Sequence, residues 1–176
     1  MRRYAVAPTA AHEISFLAMV SDFERLDPAN ADFYAAARQD FRAYVKQLRE
    51  EEQGLNLPSG WVPCTHRWIV SEDQVVGVAR LRHNIETAFL SENGGHIGYD
   101  VMPSARGKGL GHFALRTALE EASRIGLRRT LLFTGETNAP SRAVIEAAGG
   151  VLESIGYSDF WSEMLCRYWI ELPSGA

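Results

Sequence analysis

The sequence predicts an α/β chain of the α+β kind: a mixed, mostly antiparallel central sheet flanked by helices. Three observations lead there. Two stretches near the N-terminus carry apolar residues at helical spacing. Short apolar runs joined by a polar turn then read as an antiparallel hairpin. A strand–helix–strand unit follows, and a last helix and strand close the chain. No repeat, low-complexity tract or linker interrupts this order, so residues 1–176 read as a single domain.

Residues 4–7 form a short first strand, and helices are expected over 9–25 and 31–50. In the second helix Phe33, Ala37, Phe41, Tyr44, Val45 and Leu48 make one apolar stripe. The Gly- and Pro-containing segment 51–64 reads as a loop. Strands at 67–70 and 74–83 are joined by Ser71-Glu72-Asp73. Asn93-Gly94-Gly95 is a turn signal leading into a strand at 96–102. An amphipathic helix over 112–126, a strand at 129–134, a helix at 140–148 ending in Gly149-Gly150, and a strand at 164–172 complete the order.

Composition narrows the function classes. The chain is 46% hydrophobic and 23% charged, as globular proteins are. A formal net charge of −4 argues against a nucleic-acid coat protein. Cys64 and Cys166 stand apart, form no metal-ligand pattern, and read as buried thiols in a reducing compartment. The opening MRRYAVAPTAAHE lacks the apolar core of a signal peptide, and no run is long enough to span a membrane. The expectation is a cytoplasmic protein without a metal, a nucleic-acid partner or a membrane partner.

The stretch PSARGKGLGH, residues 103–112, carries the chemistry. Glycine frees the backbone and removes the Cβ that would keep a ligand away. The following helix points its unpaired N–H groups and positive dipole end into this loop, and Arg106 and Lys108 add charge. Such a combination suits a phosphate or pyrophosphate. A P-loop does not fit, because Lys108 is followed by Gly109 rather than Ser or Thr. Gly109, Gly111 and Ala114 match a dinucleotide fingerprint, with Glu136 as ribose ligand. Against that stand the intervening residues 103–108, the preceding hairpins and the short chain beyond residue 136.

The run VMPSARGKGLG, residues 101–111, resembles the acetyl-CoA signature [RQ]xxGx[GA] of the GNAT superfamily of N-acetyltransferases, through Arg106, Gly109 and Gly111. The resemblance continues into LLFTGETNAPSRAVIEAAGG and covers roughly residues 67–156. The run GGHIGYDVMPSARGKGLG, with RYWIEL near the end, looks like one branch of predicted acetyltransferases. The resemblance implies that the backbone of Gly107, Lys108, Gly109, Leu110 and Gly111 holds the pyrophosphate of acetyl-CoA, beside Arg106 and Lys108. It implies that main-chain groups of Tyr99 and Val101 pair with the pantetheine, where the strands at 96–102 and 129–134 splay apart. A backbone N–H there would stabilise the oxyanion. Asn138 matches the family's asparagine, which also suits a helix cap, and Ser141 and Arg142 are candidate coenzyme contacts.

One departure is plain. Where many members carry a tyrosine acid, this chain has Ile145, leaving Tyr99 or water to protonate the thiolate. Candidates for the base are His96, Glu136 and His83, and none is needed if the amine deprotonates in solution. The implied reaction is direct transfer of an acetyl group from acetyl-CoA to a primary amine, on a small molecule or a peptide. Asp22, Glu24, Asp27 and Asp32 either attract that amine or form a solvated acidic face. The rivals are an acyl-CoA sensor without turnover and a transferase of a longer acyl group. Pairing of two copies through their C-terminal strands is implied by the resemblance alone.

Overall fold

The computed structural model describes residues 2–173. Strand β1 (Arg3–Val6) leads through a 3-10 turn to helices α1 (Glu13–Leu26), α2 (Pro28–Ala31), α3 (Ala35–Gln39) and α4 (Phe41–Glu52). Strands β2 (Cys64–Ser71), β3 (Gln74–Arg82) and β4 (Ile97–Val101) follow, then helix α5 (Leu110–Arg124). Strand β5 (Arg129–Gly135), helix α6 (Ala139–Ala147) and strands β6 (Val151–Ser158) and β7 (Glu163–Glu171) finish the chain. The expected order holds, with three differences.

The predicted helix 31–50 is broken at Asp40, whose extended backbone (φ −150°, ψ 99°) ends α3. Its carboxylate caps α4 by accepting the Ala43 N–H at 2.9 Å. Phe33 sits in a 3-10 turn (Asp32–Tyr34) ahead of α3 and leaves the predicted stripe at 55% exposure, whereas Ala37, Phe41, Tyr44, Val45 and Leu48 are buried. Strand β2 begins at Cys64, three residues earlier than expected, because its first residues pair fully with β3, Cys64 opposite Arg82. Strand β6 had no clear signal in the sequence. It is an edge strand, almost wholly exposed, and a register shift between Leu152 and Ser154 breaks the alternation that would reveal it.

The strands form two antiparallel sheets, in the orders β1-β2-β3-β4 and β5-β7-β6. One core lies between α1–α4 and one face of the first sheet. Phe16 stands at its centre, 4.4 Å from the Trp68 ring, with Met19, Phe23, Tyr34 and Phe41 around it. The second core joins the opposite face to α5 and α6, through Leu81, Ile97, Ala114, Leu115, Leu132, Ile145 and Tyr168. Each large side chain so buried contributes about 1.5–3 kcal/mol. Both cysteines are buried and free. Because α5 carries the chain from β4 to β5, those strands run side by side at the junction of the two sheets.

Candidate active site

The junction is held at one point. The His96 N–H donates to Leu131 O at 2.8 Å, and the Leu131 N–H donates to His96 Nδ1 at 2.9 Å. Among the described residues β4 and β5 share no ladder beyond it, and they belong to separate sheets. Gly95 makes the approach possible: its φ is 65°, and a Cβ there would stand 2.5 Å from Leu131 O.

The register of β4 decides what faces the gap. Arg82 N–H donates to His96 O, and Met102 N–H donates to Val76 O. By antiparallel alternation Gly98 and Asp100 then pair with β3, so the main-chain groups of Ile97, Tyr99 and Val101 turn the other way, toward β5. Val101 O accepts from Arg106 Nε at 3.1 Å.

At the far end of β4 lies the glycine loop. Its positive backbone angles at Gly107 (φ 76°) and Gly109 (φ 75°) carry the chain into α5, where Gly109 is the N-cap without a side-chain bond. The first N–H groups of this 15-residue helix therefore face the loop without a capping side chain. Four contacts clamp the loop from behind. Arg3 Nη2 donates to Lys108 O at 2.7 Å, and the Ser104 N–H donates to Asp22 at 2.8 Å. Arg106 Nη2 donates to Asp27 at 2.6 Å while its Nε holds Val101 O. A shallow cavity of about 300 Å³, lined by Arg3, Gly109, His112, Phe113 and Arg116, adjoins the loop.

Three of the four acidic residues singled out in the N-terminal region, Asp22, Glu24 and Asp27, are occupied. Burial would raise the Asp22 carboxyl, but hydrogen bonds from Ser104 and Arg25 outweigh it and hold the group below its ordinary value. The Arg106 hydrogen bond lowers Asp27 in the same way. Glu24 pairs with Arg38, and Asp32 is exposed. Arg3, Asp22 and Asp27 are the loop contacts that the sequence did not reveal, since nothing in their spacing links residues about 80 or more positions away.

Helix α6 closes the other side. Asn138 caps it, its Oδ1 accepting the Ser141 N–H at 3.1 Å. Ser141 Oγ lies 3.0 Å from the Tyr99 hydroxyl, whose proton is held on by burial. A Cβ on Gly111 would meet Val144 at 3.3 Å and Tyr99 at 3.6 Å, so this glycine makes room for them. Arg142 turns to the Tyr168 hydroxyl and to Glu136 O, at 3.1 and 3.3 Å. Ile145 is buried in the core.

The three expected bases stand apart. His96 is buried, and desolvation together with Arg82 and Arg129 pushes its pKa down to about 4. His83 lies across the first sheet, its Nε2 2.9 Å from Thr65 Oγ1, and burial lowers it. Glu136 is exposed just past the end of β5. Lys108 is exposed in the loop, and the Leu110 side chain is buried in the core. Among the described residues no group of His, Cys, Asp and Glu could hold a metal ion, and no helix is long and apolar enough to cross a membrane.

A splayed pair of strands ending at a glycine loop and a helix N-terminus is matched at the sequence level. The model of the Acetyltransferase (GNAT) family fits residues 26–149. The chain belongs to the GNAT family. No curated protein sequence matches it significantly. Solved structures resemble it in fold along nearly the whole length. The RimL ribosomal L7/L12 α-N-protein acetyltransferase in complex with coenzyme A has 18% identity and a TM-score of 0.71, over 98% of this chain and 96% of its own. The ribosomal-protein-S5-alanine acetyltransferase from Vibrio fischeri has 17% identity and a TM-score of 0.71, over 98% and 94%. The microcin C7 self-immunity acetyltransferase MccE, in complex with acetyl-CoA and AMP, has 16% identity and a TM-score of 0.69, over 97% and 92%. This GNAT protein therefore has the family's split sheet and loop, with Ile145 in the core below α6.

Proposed function

We propose that this protein is an N-acetyltransferase that moves an acetyl group from acetyl-CoA to a primary amine by direct attack. The observation that carries the proposal is the gap between β4 and β5, closed at His96–Leu131 and opening toward the clamped glycine loop. The N–H groups from Gly107 to Gly111 take the pyrophosphate, with Lys108 as the nearby free-standing charge, while Arg106 acts through the loop it braces. Main-chain groups of Tyr99 and the Val101 N–H pair with the pantetheine arm. Asn138, Ser141 and Arg142 shape the coenzyme's wall at the start of α6.

For chemistry, the amine nitrogen attacks the thioester carbon, a tetrahedral oxyanion forms, and the thiolate leaves with a proton. A backbone N–H in the gap stabilises the oxyanion. Tyr99 supplies the proton, its hydroxyl fixed by Ser141. Glu136, at the mouth of the gap, takes the amine's proton, or solvent does. The neighbours named above include enzymes for ribosomal-protein amines, so a peptide or protein N-terminus heads the acceptor panel, ahead of small amines. We further infer one working domain, a cytoplasmic location and pairing of two copies.

The test is a thermal melt with acetyl-CoA, with NADH as control, followed by thiol release against an amine panel. Saturation at a hundred times the dissociation constant adds about 2.7 kcal/mol. No shift with acetyl-CoA would sink the proposal. One second reading has its own observation: Ile145 offers no proton where the family's acid is expected, as an acyl-CoA sensor would allow. A sensor shows the shift without thiol release. Turnover with succinyl-CoA in place of acetyl-CoA would instead indicate a longer acyl group.

A further inference from the structure

We infer that His96 is a positioning residue for the proposed transfer: its imidazole Nδ1 replaces a backbone carbonyl, pins β5 to β4, and fixes where the strands part. The inference rests on the acetyltransferase reading for its consequence, and on hydrogen-bond accounting for its geometry. Leu131 directs both its N–H and its C=O at β4. In an ordinary parallel pair the N–H would find a main-chain carbonyl on the neighbouring strand. Here each carbonyl just before β4 already accepts from one residue, Arg82. Arg82 Nη1 donates to Gly94 O at 3.1 Å and to Gly95 O at 3.2 Å, and the Arg82 N–H donates to His96 O at 2.8 Å. The imidazole remains as acceptor for a Leu131 N–H that is fully buried.

The surroundings keep that acceptor in service. Arg82 from β3 and Arg129 from β5 are the charged groups facing the ring, with Trp169 from β7 at 6.4 Å between centroids. Two cations and burial oppose imidazolium, so Nδ1 keeps its lone pair throughout the neutral range. A ring so committed is not the general base. Beyond it the next main-chain groups of β4 that face β5 belong to Ile97 and Tyr99, and no ladder forms there. The clasp is therefore the closed end of the gap. A β5 strand released at Leu131 shifts the walls that align thioester and amine, which lowers turnover more than coenzyme affinity.

The variants that test this are His96→Asn, whose Oδ1 can take the place of Nδ1, and His96→Leu, which fills space without an acceptor. The expectation is near-native turnover for H96N with an unchanged pH profile. H96L should lose roughly 10- to 100-fold in kcat, with KM for acetyl-CoA changing much less. Equal loss in both variants, or full activity in H96L, overturns the inference. Nitrogen NMR of the wild-type imidazole decides it even where H96L does not fold. The clasp requires Nδ1 unprotonated and the proton on Nε2 between about pH 5 and 8. A ring that titrates in that window, or carries its proton on Nδ1, excludes the clasp. Failure of the acetyltransferase reading looks different: the wild-type protein itself then binds no acetyl-CoA, or binds it without releasing thiol, whatever the state of His96.

Discussion

Arg106 carries the charge that the loop signature suggests for a phosphate, yet Asp27 receives it at 2.6 Å and the Arg106 Nε–H donates to Val101 O. In the proposed function its contribution is to hold the loop in shape before the coenzyme arrives. Arg106→Ala should therefore raise KM for acetyl-CoA about tenfold with little change in kcat, since a charged hydrogen bond is worth about 1.5–3 kcal/mol. Asp27→Asn should act in the same direction, and the double variant should be no worse than the worse single one. Steady-state kinetics checks this, and additive losses would mean that the two residues act separately. Tyr99 belongs to the same scale. With its hydroxyl 3.0 Å from Ser141 Oγ, Tyr99→Phe should leave acetyl-CoA binding intact and lower kcat by about 10²-fold. Unchanged turnover would assign the proton to water.

Helix α4 depends on a residue that the apolar stripe conceals. Asp40 interrupts the pattern only as one polar position among several, but its carboxylate satisfies the Ala43 N–H and sets a new helix direction. Asp40→Ala should lower stability by about 1 kcal/mol, read from urea unfolding, with no effect on coenzyme affinity. Helix α6 shows the opposite constraint. Ile145 is buried, and a Cβ on Gly150 would already stand 2.5 Å from its Cγ2. A tyrosine at position 145 has no room, so Ile145→Tyr should destabilise by about 1–3 kcal/mol and fail to increase turnover. Thermal melting beside thiol-release assays separates the two effects.

Two buried histidines shape the response of the whole molecule to pH. For His66, burial opposes the charge, but Cys64 and Glu51, whose Oε2 lies 2.8 Å from Nε2, raise the pKa to about 9. A group raised in the folded state stabilises fully below its unfolded value of about 6.5, and that contribution disappears as pH rises through about 9. His96, lowered to about 4, does the reverse: stability falls as pH drops from about 6.5 toward 4, because the unfolded chain takes the proton first. Denaturant titrations across pH should therefore find maximal stability near pH 6–7, with losses on the order of 1–3 kcal/mol on either side. Glu51→Gln should flatten the alkaline limb alone. A wild-type plateau from pH 5 to about 9 would contradict both assignments.

What the sequence determined by itself was local. Helical spacing, turn residues and the glycine run 103–111 act within a dozen positions, and these were enough for the order of elements, the family and the loop's place between β4 and α5. The exposed edge strand β6 left too little alternation to read, because neither face is consistently buried. Only the tertiary structure decided which side chains meet. Asp22 and Asp27 read as a solvated acidic face or an amine lure, and became loop clamps once α1 packed beside residues 103–105. His96 read as a base on a strand, and became an acceptor for Leu131 when Arg82 claimed the neighbouring carbonyls. Hydrogen-bond saturation in a buried junction is settled by partners 12 to 35 positions away, and no local pattern records it.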